Sequence, residues 1–295
     1  MSVLSSPQGS PERVWSLLSG LIALGGRAER PALDGLLNPG YLIDGQSLAV
    51  NKLLANDSHG VATSLDFLKL EGRTAEIDPE LDARTPDEFA DRIHDRLIGL
   101  KVGETDSALL ETYAWVAVES DRTQGSGWLF ERQRGDIVDQ ASVAVSGQDD
   151  GPAMNPTKWV AWRRWMVFLG LSTPLPIPNY PDLPDPTVRL KREIAREGLP
   201  DGTRLSAEDF LQIVARRMPY LDRGRLFSHY SGQMNHTPPA RRLSPLLSAA
   251  LSNLHGEALT LHVSGDSTGV YKLSGAEGLS PPAFDAITLG SGADA

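Results

Sequence analysis

The most tempting candidate for catalytic chemistry is the string Gly265-Asp266-Ser267-Thr268-Gly269, which sets a serine beside an aspartate and between two glycines. A serine nucleophile also needs an oriented histidine and a third group in space, and no pattern in the sequence supplies them. Glycine, aspartate and serine are ordinary residues of hairpin turns, and the string separates two segments of alternating apolar residues. The sequence therefore predicts a turn here, no catalytic residue, and a protein that is not an enzyme.

The histidines are the candidate metal ligands, and they are His59, His94, His229, His236, His255 and His262. None belongs to the pair spaced i, i+4 around a glutamate that zinc hydrolases carry on a helix. His229 and His236 share one irregular segment, so a metal site there stays conceivable. The chain has no cysteine, which excludes disulfides and thiolate zinc sites. A phosphate-cradling glycine loop is also missing, so we expect no metal and no cofactor.

Basic and small polar side chains are the candidates for holding nucleic acid, because lysine and arginine bind phosphates and hydroxyls bond to phosphates or bases. Arg241 and Arg242 stand just before a predicted helix cap, where they could grip backbone phosphates. The residues predicted to bind DNA are His59, Thr63, Ser64, Lys69, Arg163, Arg164, Arg241, Arg242 and Lys272.

The C-terminal quarter supplies the elements that would position the last three of these residues. Residues 244–256 predict a helix capped by Ser244, since an apolar pattern follows a Ser-Pro pair. Residues 258–264 and 270–273 alternate apolar and polar residues around the 265–269 turn, which predicts a β-hairpin. A helix that runs into a hairpin is typical of the end of a winged helix-turn-helix.

A weaker version of this pattern lies near the N-terminus. A helix that starts at Ser10-Pro11 and a short helix at 32–37 precede a helix predicted over 58–71, and residues 73–78 read as a strand of a small wing. In this interpretation helix 58–71 is the recognition helix, with His59, Thr63 and Lys69 among its outward positions.

The middle of the chain predicts helices without a wing. Thr85-Pro86-Asp87-Glu88 is a capping box, and Asn155-Pro156 caps a helix in which Trp159, Trp162 and Trp165 recur every three residues as packing residues. A Gly- and Asp-rich break at 143–155 marks the main boundary. We therefore predict a mainly α fold with small β-wings, divided into a winged-helix-like domain at 1–80, an acidic helical segment at 81–150 and a helical, winged-helix domain at 151–290.

Charge is unevenly distributed along the 295 residues, whose net charge is −10. Residues 76–150 carry 7 basic and 18 acidic residues, whereas residues 151–245 carry 14 basic and 8 acidic residues. This asymmetry indicates either charged partners or two blocks that neutralise each other within the molecule. The N-terminus lacks a secretory signal and the apolar stretches are too short to span a bilayer, so we expect a cytoplasmic protein with no membrane contact.

The C-terminal half resembles DpdG, a family of the bacterial Dpd gene clusters, which place 7-deazaguanine derivatives in DNA and include a restriction arm. The resemblance rests on the terminal helix and hairpin segments and on four strings, which are Trp165–Leu171, Pro184-Asp185-Pro186-Thr187, Phe210-Leu211 and Met218–Gly224. It implies a non-catalytic subunit of a phage-defence assembly that works beside helicase- and nuclease-type partners.

These observations lead to one functional expectation and two alternatives. We expect a DNA-binding adaptor subunit of an anti-phage modification–restriction system, with DNA and other defence subunits as partners. The first alternative is a purely structural adaptor whose winged helices bind only protein. The second is an enzyme of unrecognised chemistry.

Overall fold

The computed structural model describes residues 2–37, 42–43, 46–47, 52–81, 83–145, 153–176, 181–264, 269–275 and 281–290. The helices are α1 (Pro11–Ala23), α2 (Arg30–Leu37), α3 (Lys52–Ser64), α4 (Pro86–Gly99), α5 (Ala108–Arg122), α6 (Trp128–Glu131), α7 (Arg134–Ala144), α8 (Pro156–Phe168), α9 (Thr187–Arg196), α10 (Ala207–Arg217), α11 (Arg225–Gln233) and α12 (Pro245–Leu254). The strands are β1 (Arg27–Glu29), β2 (Leu42–Ile43), β3 (Gln46–Ser47), β4 (Leu68–Glu71), β5 (Thr74–Ile77), β6 (Ser172–Thr173), β7 (Leu183–Pro184), β8 (Arg204–Ser206), β9 (Leu259–His262), β10 (Tyr271–Lys272), β11 (Ala283–Phe284) and β12 (Ala286–Leu289). About half of the chain is helical and the sheets are small and antiparallel, so the predicted mainly α class with small β elements is confirmed.

The chain divides into two compact units that do not follow the sequence in two simple blocks. The first unit comprises residues 1–109 and 155–169, and the second comprises residues 110–154 and 170–295. Helix α8 therefore belongs to the first unit, although it follows the Gly- and Asp-rich break. The predicted domain limits at 80 and 150 differ from the limits of these units and stay predictions about domains.

The core of the first unit combines helices α1, α2 and α3 with a three-stranded sheet, and α4 and α8 belong to the same unit. Helix α1 packs against α2 and α3, because Val14, Leu17 and Leu21 recur along one face and are fully buried. Strands β1, β5 and β4 form an antiparallel sheet with β5 in the middle. Phe89 of α4 adds an aromatic contact to this core, with its ring centroid 5.3 Å from that of Trp15.

The helix predicted over 58–71 is wrong in its bounds. Helix α3 spans Lys52–Ser64, and Lys69 lies on strand β4. Asp66 has a φ of 60°, in the left-handed region that interrupts a helix. The apolar spacing of Val61, Leu65 and Leu68 that suggested one long helix is real, since all three are buried, but a turn divides it between a helix and a strand.

The second unit repeats the same order of core elements. In the first unit the order is α1, β1, α2, α3, β4 and β5; in the second it is α9, β8, α10, α12, β9 and β12. Both sheets are antiparallel, and in both the last strand lies between the other two, as β1-β5-β4 and as β8-β12-β9. Helix α12 packs against α9 as α3 packs against α1. The chain therefore contains the same topology twice.

The β-hairpin predicted from 258–264 and 270–273 is wrong in its pairing. Strand β9 pairs with β12, in a register that joins Leu261 to Ile287, whereas β10 pairs with β11. Alternating burial along β9 and β12 places Leu259, Leu261, Ile287 and Leu289 on the core side. The proposed turn at 265–268 lies outside the described residues.

Three of the four helix caps named above form as predicted. Thr85 and Glu88 make the reciprocal capping box of α4, and Ser244 accepts a hydrogen bond from the Leu247 N–H at the start of α12. Asn155 accepts from the Lys158 N–H at 2.8 Å and caps α8. Ser10 precedes α1, but its side chain makes no capping hydrogen bond.

The tryptophans of α8 are packing residues, as predicted. Trp159, Trp162 and Trp165 are each at most 5% exposed, and the rings of the first two stack at 4.7 Å. None of the helices within the described ranges combines the length and the apolar character that crossing a bilayer requires.

Candidate nucleic-acid interface

Three of the predicted DNA-binding residues converge in the second unit. The backbone of residues 241–243 runs beside β10, because the Lys272 N–H donates to the Arg241 carbonyl at 2.9 Å and the Leu243 N–H donates to the Lys272 carbonyl at 2.9 Å. This pairing turns Tyr271 and Leu273 inward and leaves Lys272 exposed. We call the exposed residues Arg241 and Lys272 the cationic pair.

The start of α12 holds this segment in place. Asp222 is buried and accepts hydrogen bonds from both the backbone N–H, at 2.7 Å, and the hydroxyl of Ser244. Burial raises the pKa of Asp222 to about 6, and the hydrogen bonds from Ser244 only partly oppose that rise. The cap of α12 and the anchor of the 241–243 segment therefore share one carboxyl group.

Most of the other basic residues between 151 and 245 are neutralised within the second unit. Arg189, Arg196 and Arg217 surround the buried carboxylate of Glu193. Further ion pairs join Arg216 and Arg217 to Glu197, Arg223 to Glu208, Lys191 to Glu257 and Arg242 to Asp121. Exposed cations of this unit that have no ion pair within the described ranges are Arg134, Arg204, Arg241 and Lys272.

The ion pairs of the second unit alter the pKa values of two of its glutamates, Glu197 and Glu208. Burial raises the pKa of Glu197, but the hydrogen bonds and charges of Arg217 and Arg216 outweigh burial and leave that pKa below its ordinary value. Hydrogen bonds from Arg223 and from the Tyr271 hydroxyl lower the pKa of Glu208 to about 2. These carboxylates stay ionised at neutral pH, so they keep their arginines occupied.

The predicted DNA-binding residues of α3 are not a cationic surface. His59 is 1% exposed, so its predicted outward position is wrong: its Nε2 lies 2.8 Å from Asp34 Oδ1 in the interior. Burial lowers the pKa of His59 more than Asp34 raises it. The hydroxyl of Ser64 donates to Asp106, which leaves Thr63 as the exposed member of the predicted residues on this helix.

The remaining predicted residues of the first unit are scattered. Lys69 is exposed on β4, but its register partner on β5 is Glu76, which also pairs with Arg27 of β1. On α8, Arg164 is exposed and Arg163 is half-buried. The structure therefore brings together Arg241, Arg242 and Lys272 within the second unit, whereas the other six predicted residues belong to the first unit.

A cleft of about 360 Å³ opens next to the cationic pair. Its lining includes Arg242 and Tyr271, the chain neighbours of that pair, together with Ser231 and His236. The Nε2 atom of His236 lies 2.7 Å from Oδ2 of the buried Asp121. The sequence analysis assigned no role to Asp121, Asp222 and Ser231, because they lie far in sequence from Arg241, Arg242 and Lys272.

Metal and nucleophile candidates find little support in this geometry. Across the residues that the structure describes, no group of three or more histidine or carboxylate side chains is placed to hold a metal ion. His229 lies 3.0 Å from the Gln233 side chain, whereas His236 contacts Asp121. The serine of the Gly265–Gly269 string lies outside the described residues.

The chain matches one known family. A family model described as DpdG-like matches residues 1–267. No curated protein and no solved structure matches the chain. The family match confirms the resemblance seen in the C-terminal half and extends it through the N-terminal half.

Proposed function

We infer the function from the premise that this chain belongs to the DpdG-like family. We propose that it is a non-catalytic, DNA-binding adaptor of a bacterial Dpd defence system, working beside helicase- and nuclease-type partners. One observation carries the DNA-binding part of this proposal: Arg241 and Lys272 are both exposed, a backbone hydrogen bond joins their segments, and neither has an ion pair within the described residues.

Both units are proposed to be winged-helix modules. The order helix, strand, helix, helix, strand, strand, with the last strand in the middle of the sheet, supports this assignment in each unit. In this proposal α3 and α12 stand at the position of the recognition helix. The second module carries an extra helix, α11, and a long connection between β9 and β12.

The two modules are proposed to have different partners. On α12, the exposed residues Ala249 and Asn253 are small or neutral, so the cationic pair beside its N-terminus would hold phosphates while α12 adds little base recognition. On α3, Asn56 and Thr63 are the exposed side chains among those described, and neither is charged. We therefore assign DNA to the second unit and protein partners to the first.

Duplex binding tests this proposal directly. We expect the full chain to bind a random 20-base-pair duplex at low salt (a length of about two helical turns) and to lose about tenfold in affinity in the double variant Arg241→Ala/Lys272→Ala. The matched control is Arg204→Ala, which removes an exposed and unpaired arginine of β8. We expect this variant to change the affinity by less than about twofold.

The alternative of a purely structural adaptor makes the opposite prediction. It is favoured by the uncharged exposed side chains among those described on α3 and by the ion pairs that occupy several arginines of the second unit. Failure of the full chain to bind duplex DNA at low salt would support it and reject DNA binding. Purification of the native complex would identify the partner subunits in either case.

A further inference from the structure

The cleft beside the cationic pair contains polar atoms that the protein itself does not use. The hydroxyl of Ser231, a residue 4% exposed, has no hydrogen-bond partner within the described residues, and the same is true of the buried Nε of Arg242. Both residues line the cleft. A buried donor without a partner costs about 1–3 kcal/mol, so such atoms call for an explanation, which a ligand can supply.

Two carboxyl groups lie at or near the cleft, and each has partners within the protein. Asp121 accepts from His236 and lies 3.9 Å from a terminal guanidinium nitrogen of Arg242. Asp222 accepts both hydrogen bonds of Ser244 at the cap of α12. Asp121 Oδ1 also has no hydrogen-bond partner within the described residues, but Asp121 does not line the cleft. The buried atoms without a partner on lining residues are the Ser231 hydroxyl and the Arg242 Nε–H, and both can donate a hydrogen bond.

The backbone around the cleft keeps this arrangement fixed. Gly224, which begins the approach to α11, passes so close to Pro219 that an added Cβ would lie 2.3 Å from its carbonyl oxygen. That same oxygen accepts from the N–H groups of Leu226 and Phe227 at 2.9 and 3.1 Å. Helix α11, which carries Ser231, is thus tied to the preceding turn.

The chemistry of the cleft fits a phosphoryl group. A guanidinium and hydroxyls are the donors that bind phosphate oxygens, and Ser228 and Thr237 add two exposed hydroxyls to the rim. Phe227 and Tyr271 supply apolar wall, and the volume of about 360 Å³ suits a ligand of roughly nucleotide size.

We propose that this cleft binds a phosphate-bearing ligand of nucleotide size, with its phosphoryl oxygens on the Ser231 hydroxyl and the Arg242 guanidinium. The site goes beyond the proposed DNA contact, since Arg241 and Lys272 do not line the cleft. Two sources offer the same chemistry: a free nucleoside monophosphate and the terminal phosphate of a nucleic-acid strand.

Calorimetric titration of the full chain tests the site and separates the two sources. The probes are inorganic phosphate, guanosine and adenosine monophosphates, the matching nucleosides, and a short oligonucleotide with either a 5′-phosphate or a 5′-hydroxyl. We expect at least one phosphorylated probe to bind, and its counterpart without phosphate to bind about tenfold more weakly or not at all. Preference for the monophosphates identifies a free nucleotide, and preference for the 5′-phosphorylated strand identifies a strand end.

Variants connect the binding to the named atoms. Ser231→Ala should weaken binding of the phosphorylated probe about tenfold, and Arg242→Gln should weaken that binding further. Arg216→Gln, which removes an exposed arginine paired with Glu197, is the control and should leave binding unchanged. Because Ser231→Ala deletes a hydroxyl without a partner, its melting temperature should not fall; a lower melting temperature would assign Ser231 a structural role and overturn the proposal.

The result is independent of the proposed DNA function. Arg241→Ala/Lys272→Ala should leave binding of the phosphorylated probe unchanged. If duplex DNA binds through the cationic pair while no phosphorylated probe binds at millimolar concentration, the cleft proposal is wrong and the DNA proposal stands. If a phosphorylated probe binds the wild-type chain and binds Ser231→Ala about tenfold more weakly, while duplex DNA does not bind, the cleft proposal stands and the DNA proposal is wrong.

Discussion

Glutamate side chains decide how much of the basic charge in this chain remains available to a partner. Glu193 alone lies within ion-pair distance of Arg189, Arg196 and Arg217. Two of these pairs follow the i, i+4 and i, i+3 spacings of a helix, so the sequence carried a signal for them. The count of 14 basic residues between 151 and 245 hides this neutralisation.

Asp222 makes the stability of the second unit dependent on pH. Its pKa of about 6 lies above the ordinary 3.8, so the folded state holds the proton more tightly than the unfolded state. This difference in pKa contributes about 3 kcal/mol to the free energy of unfolding below pH 3.8. The contribution is lost as pH rises through about 6. We expect Asp222→Asn to remove this dependence.

Chemical denaturation of both proteins at a series of pH values measures the effect. The difference in free energy of unfolding, variant minus wild type, should increase from about pH 4 to about pH 7. Equal pH profiles for the two proteins would show that this carboxyl is not the titrating group.

At the scale of the residue, caps were predictable and burial was not. Thr85, Asn155 and Ser244 cap helices in the structure because a short side chain followed by proline or glutamate is a local signal. His59 was expected on an outer face, but its neighbour in space is Asp34, which is 25 positions away. Such a contact depends on tertiary packing, which spacing along one helix does not reveal.

The N-terminus of α12 is the element whose cap matters most. Ser244→Ala removes the cap and leaves the buried Asp222 with one hydrogen bond fewer, so we expect a loss of about 2–4 kcal/mol in the free energy of unfolding. Ser206 caps α10 at an exposed position, and Ser206→Ala should cost only about 0.5–1 kcal/mol. Urea denaturation compares the two; similar losses would contradict a special role for the Ser244–Asp222 contact.

Strand β12 is the second element that invites a test, because the sequence analysis paired its neighbour wrongly. Ile287 is fully buried in the middle of the sheet, so Ile287→Ala should lower the free energy of unfolding by about 2–5 kcal/mol. Val263 is 52% exposed, and Val263→Ala should stay within about 0.5 kcal/mol of wild type. Thermal and urea unfolding measure both variants; a small effect of the first would argue against the β9–β12 pairing.

The error in the predicted hairpin shows that local sequence patterns locate strands but do not determine which strands pair. Alternation located β9 and β10 well, since the observed strands lie inside the predicted segments. The turn-forming string between them favoured a local partner, whereas the true partner of β9 begins at Ala286. Pairing is chosen by burial of both strands on one core, and that information is distributed along the chain.

For the whole molecule, the ion pairs within the second unit limit how strongly salt affects DNA binding through that unit. If half of the 14 basic residues between 151 and 245 bound phosphates, the slope of log affinity against log salt would be about −6. With the cationic pair as the contacts, we expect a slope of about −2. Fluorescence anisotropy between low and moderate salt measures this slope; a value near −6 would mean that the intramolecular ion pairs open on DNA.

The fold class of the molecule could be predicted from the sequence, whereas the division of the chain into two compact units could not. Amphipathic spacing and caps predicted a mainly α chain with small β elements. Helix α8 joins the first unit although it follows the second unit's residues 110–154, and no composition shift announces that exchange. At the candidate interface, the basic residues Arg241, Arg242 and Lys272 were predicted, whereas the carboxyl groups of Asp121 and Asp222 were not.

The position of β12 also affects when each part of the protein can fold during synthesis. The sheet of the first unit is complete once residue 77 has left the ribosome, whereas the central strand of the second unit is formed by residues 286–289. Until then β8 and β9 have no strand between them and present open edges. A chain that ends at residue 280 and has been released from the ribosome should therefore resist protease in its first sheet and remain cleavable around α10 and β9.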